Sequence, residues 1–125
     1  MFYGCIMDEK VLGAVVRRFY ERVRQDPDLA PIFNDAIGNW DHHLYLLTNF
    51  WSSVILTSGR YKGNPMAAHW KHASRISPPL FQRWLALWAE STAEFLDPAE
   101  AADIQSKAQR IAASLQLGLH HRAAA

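Results

Sequence analysis

The sequence contains a single cysteine, Cys5, so no disulfide can form within the chain. It has no run of 18 apolar residues, and a membrane-spanning helix is therefore not expected. The first seven residues, MFYGCIM, lack the length and the basic start of a signal peptide, so we expect a cytoplasmic location. Positive and negative charges nearly balance, at 13 Lys and Arg against 12 Asp and Glu, which argues against nucleic-acid and anionic-membrane partners.

Strand patterns, internal repeats and linker-like segments are also lacking. Apolar residues instead recur at spacings of three and four, which predicts helices with one buried face. The longer predicted helices start at four N-cap residues, Asp8, Asn39, Ser77 and Asp97. We expect the first to end near Gln25 and the second near Ser58. The sequence therefore predicts one all-α domain over residues 1–125, with poorly ordered tails at 1–7 and 120–125.

Two shorter segments lie between these helices. Residues 29–38 are predicted to form a turn or 3₁₀ segment anchored by Phe33. A short helix is predicted to start at Asn64, because Pro65 suits the first helical position. This helix presents His69 among small and apolar residues, with no carboxylate or second histidine before it. A neutral imidazole in that setting suits an iron porphyrin, although a single such histidine is also compatible with an ordinary hydrogen-bonded core residue.

Three further polar groups are predicted on otherwise apolar helix faces. Tyr20 shares a face with Val16 and Val23, and Trp84 is central on the face of its helix. At about 100° per residue, His43 points with the apolar stripe of its helix, whereas His42 points toward the edge or solvent. Buried polar groups need partners, and a cofactor-bound ligand carrying partial negative charge could accept from all three. The five tryptophans are compatible with enclosure of a large flat guest and equally with ordinary core filling.

Five short stretches resemble the third group of the truncated haemoglobin family. In family order they are Phe19–Arg24 (FYERVR), Leu29–Asn34 (LAPIFN), Asn49–Trp51 (NFW), Tyr61–Pro65 (YKGNP) leading to His69, and Phe81–Leu87 (FQRWLAL). They span most of the chain between residues 10 and 116, and they are specific only in combination. The resemblance implies a truncated-globin two-over-two helical sandwich that encloses haem b.

The resemblance also implies roles for individual residues. His69 becomes the proximal iron ligand, and Phe33 the aromatic ring against the porphyrin. Tyr20 and Trp84 become distal hydrogen-bond donors, with His43 as the distal gate residue and Leu47 as its apolar neighbour. The expected cofactor-binding residues are Phe33, His43, Leu47, Phe50, Tyr61, His69, Ile76 and Trp84. The expected catalytic residues are Tyr20, His43 and Trp84.

The chain departs from the family pattern in two places. The proximal histidine is followed by Trp70–Ile76 (WKHASRI) instead of a Leu-Pro-Pro-like turn, which makes His72 a candidate substitute ligand. Leu46 stands where a basic residue often approaches a haem propionate. The candidates for that propionate role are Arg60, Tyr61, Lys62 and Arg75, and no spacing argument chooses among them.

The resulting expectation is a haem protein that binds dioxygen or nitric oxide and favours redox chemistry over oxygen delivery. Nitric oxide dioxygenation and peroxidase-like turnover are the expected reactions, with an unidentified reductase as partner. One alternative is a six-coordinate electron-transfer or sensor protein in which His43 binds the iron. Others are a haem-free helical interaction module and a non-haem metal site built from His69, His72 and either His42 or His43.

Overall fold

The computed structural model describes the backbone of residues 7–124 and the side chains of residues 7–119. Within these residues the chain forms six helices and no strand. The helices are α1 (Glu9–Val23), α2 (Ala30–Ala36), α3 (Trp40–Leu56), α4 (Pro65–Trp70), α5 (Pro78–Phe95) and α6 (Pro98–Ala124). No helix in the described part of the chain is long and apolar enough to cross a membrane. The prediction of an all-α fold is confirmed.

The predicted N-caps begin their helices. The side-chain oxygens of Asp8, Asn39 and Asn64 each accept the backbone N–H three residues on, at 2.9–3.1 Å. Asp97 accepts the N–H of Glu100 in the same way, at 2.8 Å. Ser77 precedes α5 but its side chain makes no capping hydrogen bond, and the Leu80 N–H donates instead to the Ser77 backbone carbonyl at 3.0 Å. These short-range hydrogen bonds explain why the helix starts are readable from the sequence.

The helix ends and the second segment differ from the sequence-based expectation. Residues 30–36 form a regular helix instead of a turn or 3₁₀ segment, since Ala30 and Pro31 start a full turn of α-helix. α1 ends at Val23, and α3 ends at Leu56 with Thr57 in the left-handed conformation at φ 54°. The predicted disordered tails lie outside the described side chains, apart from Met7, which packs half-buried against the core.

The helices pack as two pairs, α1 with α3 and α5 with α6, joined by contact between α1 and α5. α4 packs against α6. This is the two-over-two sandwich that the resemblance implied. The fully buried face of α1 supplies much of the core, including Leu12, Val16 and Phe19. The contacts among the four long helices therefore form the sandwich, and the short helices α2 and α4 lie outside these pairs.

A stack of three indoles fills the centre of the sandwich. Trp51 of α3 lies parallel to Trp88 of α5, with ring centroids 4.5 Å apart and planes at 19°. Trp84 lies one turn before Trp88. The planes of the two rings are nearly parallel, at 5°, and their centroids are 6.2 Å apart. Phe19 of α1 meets the edges of Trp84 and Trp88. At least three of the five tryptophans therefore pack within the core, in line with the expectation that tryptophans here fill the core.

Candidate functional site

One cavity of about 420 Å³ gathers all nine residues that the sequence analysis selected for the site. They are Tyr20, Phe33, His43, Leu47, Phe50, Tyr61, His69, Ile76 and Trp84. The cavity is bounded by residues of all six helices and of the segments that flank α4, and most of its wall is apolar. A volume of this size and an apolar wall with few polar groups are typical of a cofactor site.

His69 lies on α4 and lines one side of the cavity. Its Nδ1 atom is 2.7 Å from the carbonyl oxygen of Pro65, one turn earlier. Because a carbonyl oxygen can only accept, Nδ1 carries the proton and Nε2 keeps a free lone pair. Such a backbone hydrogen bond orients a metal-binding imidazole and increases its basicity. The chain therefore presents one half-buried nitrogen ligand to the cavity from α4.

Tyr20 lies on α1 and is 4% exposed. Its ring makes edge contacts with Phe33 and His43 at 5.7 and 5.4 Å between centroids. Burial raises the pKa of the phenol, and the neighbouring Trp84 indole N–H opposes that shift in part. The hydroxyl is therefore neutral at physiological pH and can donate a hydrogen bond into the cavity.

His43 lies on α3 between the rings of Tyr20 and Trp40. Burial, together with a smaller contribution from the charge of the adjacent His42, lowers the pKa of its imidazole to about 4. Its Nε2 atom is buried and has no hydrogen-bond partner among the described residues. His42 is exposed and stacks on Tyr45, so the predicted division of the two histidines by helical phase is confirmed.

Trp84 lies on α5, half-buried between the indole stack and the cavity. Its ring makes a T-shaped contact with Phe19 at 5.4 Å between centroids. It is also nearly parallel to Trp51 and Trp88, so its orientation is set by three aromatic neighbours. Tyr20, His43 and Trp84 thus come from three helices to one cavity.

Tyr61 lines the cavity from the segment between α3 and α4. Its backbone N–H donates to Ser53 Oγ at 2.9 Å, and its ring meets the edge of Phe50 at 5.2 Å. The phenol lies directly over Gly63, where a Cβ atom would approach Tyr61 Cζ to 2.6 Å. Burial raises the pKa of this phenol as well.

Of the basic residues considered for a propionate, two are already in ion pairs. Arg60 contacts Glu9 at 2.9 Å, and Arg75 contacts Asp35 of α2 at 3.0 Å. Lys62 is exposed and does not line the cavity. Leu46, for which the resemblance implied a basic residue, is exposed and lines the cavity.

Sequence reasoning missed several residues of the wall. Lys71 lines the cavity but was not considered, although a cation directly after the helix that bears His69 was a readable signal. His72, considered only as a substitute ligand, also lines it. The remaining additions are apolar, and they include Ile32, Ile37, Ile111 and Leu115. Helical phase identifies such residues as buried but does not say whether they face a neighbouring helix or a cavity.

The non-haem metal alternative finds no ligand set. Within the described side chains no group of three or more His, Cys, Asp or Glu residues could hold a metal ion. His69 and His72 do share the cavity, and His43 lines it too, but they do not converge on one point. The residues do fit a haem, because one largely apolar cavity is lined by His69, whose Nε2 is free to ligate, and by His43, whose buried Nε2 has no partner among the described residues.

Comparison with known proteins gives the same picture. No protein-family model matches the chain. The chain is 34% identical over 114 residues to "Group 3 truncated hemoglobin ctb" of Campylobacter jejuni, covering 88% of this chain and 89% of that protein. The crystal structure of a group III truncated haemoglobin from Campylobacter jejuni aligns over 95% of both chains, with a TM-score of 0.82 and 34% identity. The chain therefore belongs to the group III truncated haemoglobins, a family of haem globins.

Proposed function

We propose that the cavity binds haem b, with His69 as the proximal iron ligand. The observation that carries this proposal is the hydrogen bond from His69 Nδ1 to the Pro65 carbonyl, which leaves Nε2 free to ligate. Phe33, Leu47, Phe50, Tyr61 and Ile76 supply the apolar and aromatic wall that would hold the porphyrin. Bound haem would supply an iron centre that binds small gases and exchanges electrons.

Tyr20, Trp84 and His43 are proposed to act on the distal side. The buried neutral phenol and the indole N–H are both donors, and both line the cavity. A diatomic ligand with partial negative charge, dioxygen above all, would accept from them, and the low-dielectric wall strengthens those bonds. His43 closes the distal side next to Tyr20 and, being neutral, brings no charge into the pocket.

Strong distal donors favour retention of the ligand over delivery. A hydrogen bond to a charged acceptor contributes about 1.5–3 kcal/mol, which is roughly ten- to a hundredfold in a dissociation rate. We therefore propose redox chemistry on the retained oxygen, as nitric oxide dioxygenation or peroxidase-like turnover, with nitric oxide as a second ligand and a reductase supplying electrons.

The first test is spectroscopic. Haem-loaded protein should give a Soret band and distinct ferric, ferrous and carbonyl spectra, and His69→Ala should lose the original axial bond. His42→Ala is the matched control, since His42 is exposed and outside the cavity. Unchanged axial ligation in His69→Ala would overturn the assignment of the proximal ligand.

The second test measures dioxygen release. Tyr20→Phe and Trp84→Leu should each release dioxygen about ten times faster or more. Tyr45→Phe removes the same hydroxyl from an exposed phenol outside the cavity, and its release rate should equal the parent's. Parent-like release from both pocket variants would refute retention by these donors.

A six-coordinate haem protein is the second candidate, because one observation specifically favours it. His43 has a neutral imidazole whose buried Nε2 has no hydrogen-bond partner among the described residues. Such a nitrogen could bind the iron, which would suit electron transfer or sensing. A low-spin ferrous spectrum without added ligand, lost in His43→Ala and retained in His42→Ala, would support this candidate over the first.

A haem-free interaction module predicts a different result. In that case adding haem would leave the free energy of unfolding unchanged. Our proposal predicts stabilisation by several kcal/mol, because haem at high occupancy binds only the folded chain. Urea denaturation with and without stoichiometric haem separates the two.

A further inference from the structure

The cavity wall is nearly free of charge. Lys71 is the one side chain on it that is always charged, and no Asp or Glu of the described residues lines it. Lys71 is exposed, although it lines the cavity, so it lies where the cavity opens to solvent. An isolated ammonium at the mouth of an apolar cavity attracts a ligand that carries an anionic group at one edge.

His72 adds a second donor at the same place. It follows Lys71 in the turn over residues 71–75, it is half-buried, and it also lines the cavity. Its backbone N–H is bonded to the His69 carbonyl at 3.0 Å, which fixes the turn directly to the helix that carries His69. Neither the Lys71 ammonium nor the His72 ring contacts another described side chain by hydrogen bond or ion pair.

The other cations near the opening are less available. Arg75 is paired with Asp35 of α2 at 3.0 Å, and neither residue lines the cavity. Arg60 is held by Glu9 on the far side of α3. Lys62 is free of ion pairs within residues 7–119 but does not line the cavity.

From this arrangement we propose that Lys71 and His72 form the carboxylate-anchoring site for the haem propionates. The porphyrin would enter with its carboxylate edge toward the turn over residues 71–75, where two donors lie beside the opening. The inference rests on the proposed haem function and adds to it the orientation of the ligand.

The test compares two ligands and two lysines. Haem and haem dimethyl ester, in which both carboxylates are blocked, are loaded separately into the parent, Lys71→Met and Lys62→Met. The rate of transfer to excess apomyoglobin is then followed by the Soret band. Lys71→Met should lose haem about ten times faster than the parent, which equals about 1.4 kcal/mol. Lys62→Met carries the same charge change outside the cavity, and it should stay within about twofold.

The dimethyl ester distinguishes a propionate contact from any other effect of Lys71. Its loss should be equally fast from the parent and from Lys71→Met, because it offers no anion to the ammonium. Raising the salt concentration should speed haem loss from the parent but not from Lys71→Met. His72→Phe, which keeps the aromatic wall, should accelerate haem loss several-fold and ester loss not at all.

Each contrary result overturns a defined claim. Equal rates for Lys71→Met and Lys62→Met, or equal acceleration of haem and ester loss, would refute the anchoring site alone. A parent chain that takes up neither ligand would refute the proposed function and the anchoring site together. Haem uptake with a His69-dependent spectrum and no effect of Lys71→Met would leave the proposed function standing.

Discussion

The two sides of the cavity are built very differently. The proposed distal residues lie on α1, α3 and α5, which pack together through core residues such as Phe19, Trp51 and Trp88, each no more than 1% exposed. The proposed proximal ligand lies on the six-residue α4, which contains no fully buried residue. α4 packs against α6, where Met66 fills the space above Gly118.

This difference separates two tasks within one small domain. Tyr20 and Trp84, the proposed distal donors, are placed by the same packing that folds the protein, so their positions would be set before any ligand binds. The helix of the proposed proximal ligand has too little buried surface to be stable on its own, because short helices depend on tertiary contacts. Its cap and a bound haem would therefore contribute to its order, and damage to the two sides should appear in different measurements.

The largest difference should come from the core. Trp88→Ala should reduce the free energy of unfolding by about 3–5 kcal/mol, because it removes a fully buried indole that stacks on both Trp51 and Trp84. Met66→Ala on the proximal side should cost only about 1 kcal/mol, since Met66 is half-buried. Urea denaturation of the haem-free chains measures both. Equal losses of unfolding free energy in the two variants would contradict the claim that the core around Trp88 is packed more tightly than α4.

Asp26 provides the next test. It is buried, accepts the N–H groups of Asp28 and Leu29, and pairs with Arg83 at 2.6 Å. Burial acts to raise its pKa, but Arg83 and the two N–H groups together bring the pKa below its usual value. Asp26→Ala should cost about 2–3 kcal/mol of unfolding free energy, because buried donors lose their acceptor.

The control for Asp26 is an exposed ion pair. Asp103→Ala removes the partner of Lys107 on the surface of α6, and it should change the unfolding free energy by less than about 0.5 kcal/mol. A similar loss from both variants would mean that burial does not determine the value of the Asp26 contacts.

The two N-caps sharpen the comparison further. Asp8 caps α1 and Asn64 caps α4 by the same hydrogen bond, so replacing each with alanine removes about 1 kcal/mol of local helix stability. Asp8→Ala should lower the global unfolding free energy by that amount. Asn64→Ala should leave it nearly unchanged and instead speed haem loss about fivefold. Asn64→Ser, which retains a capping oxygen, should resemble the parent.

Stability should also depend on pH through His43. The pKa of His43 is about 4 in the folded chain, below the 6.5 of a free histidine, so the unfolded chain binds more protons between these values. Stability should therefore fall as the pH is lowered from 6.5 to 4. His43→Leu should make this part of the pH profile flatter, whereas His42→Gln should keep the fall. Urea midpoints of the haem-free chains at pH 7, 6 and 5 provide the measurement.

The sequence was informative wherever local chemistry decides the structure. The caps at Asp8, Asn39, Asn64 and Asp97 are contacts over three residues, so they were readable directly. Helical phase separated His43 from His42 for the same reason. Residues 30–36 were misjudged because Ala30 and Pro31 allow a regular helix as readily as a turn, and the choice depends on tertiary contacts of Phe33.

The cavity wall was harder to predict than the helices. Its polar members were found because a buried phenol, imidazole or indole is conspicuous on an apolar face. Lys71 was missed because its importance depends on the cavity opening beside it, a fact of three-dimensional packing. The same applies to Arg75, whose ion pair with Asp35 joins segments 40 residues apart in the chain.

The Tyr61 phenol, which lines the cavity, packs directly against Gly63, so the size of residue 63 affects the cavity wall. Even one added carbon at residue 63 would collide with the phenol ring unless that ring moved. The ring packs 5.2 Å from Phe50, centroid to centroid, and both rings line the cavity. Any larger residue at 63 would therefore displace an aromatic side chain of the cavity wall and change the shape of the space that it encloses.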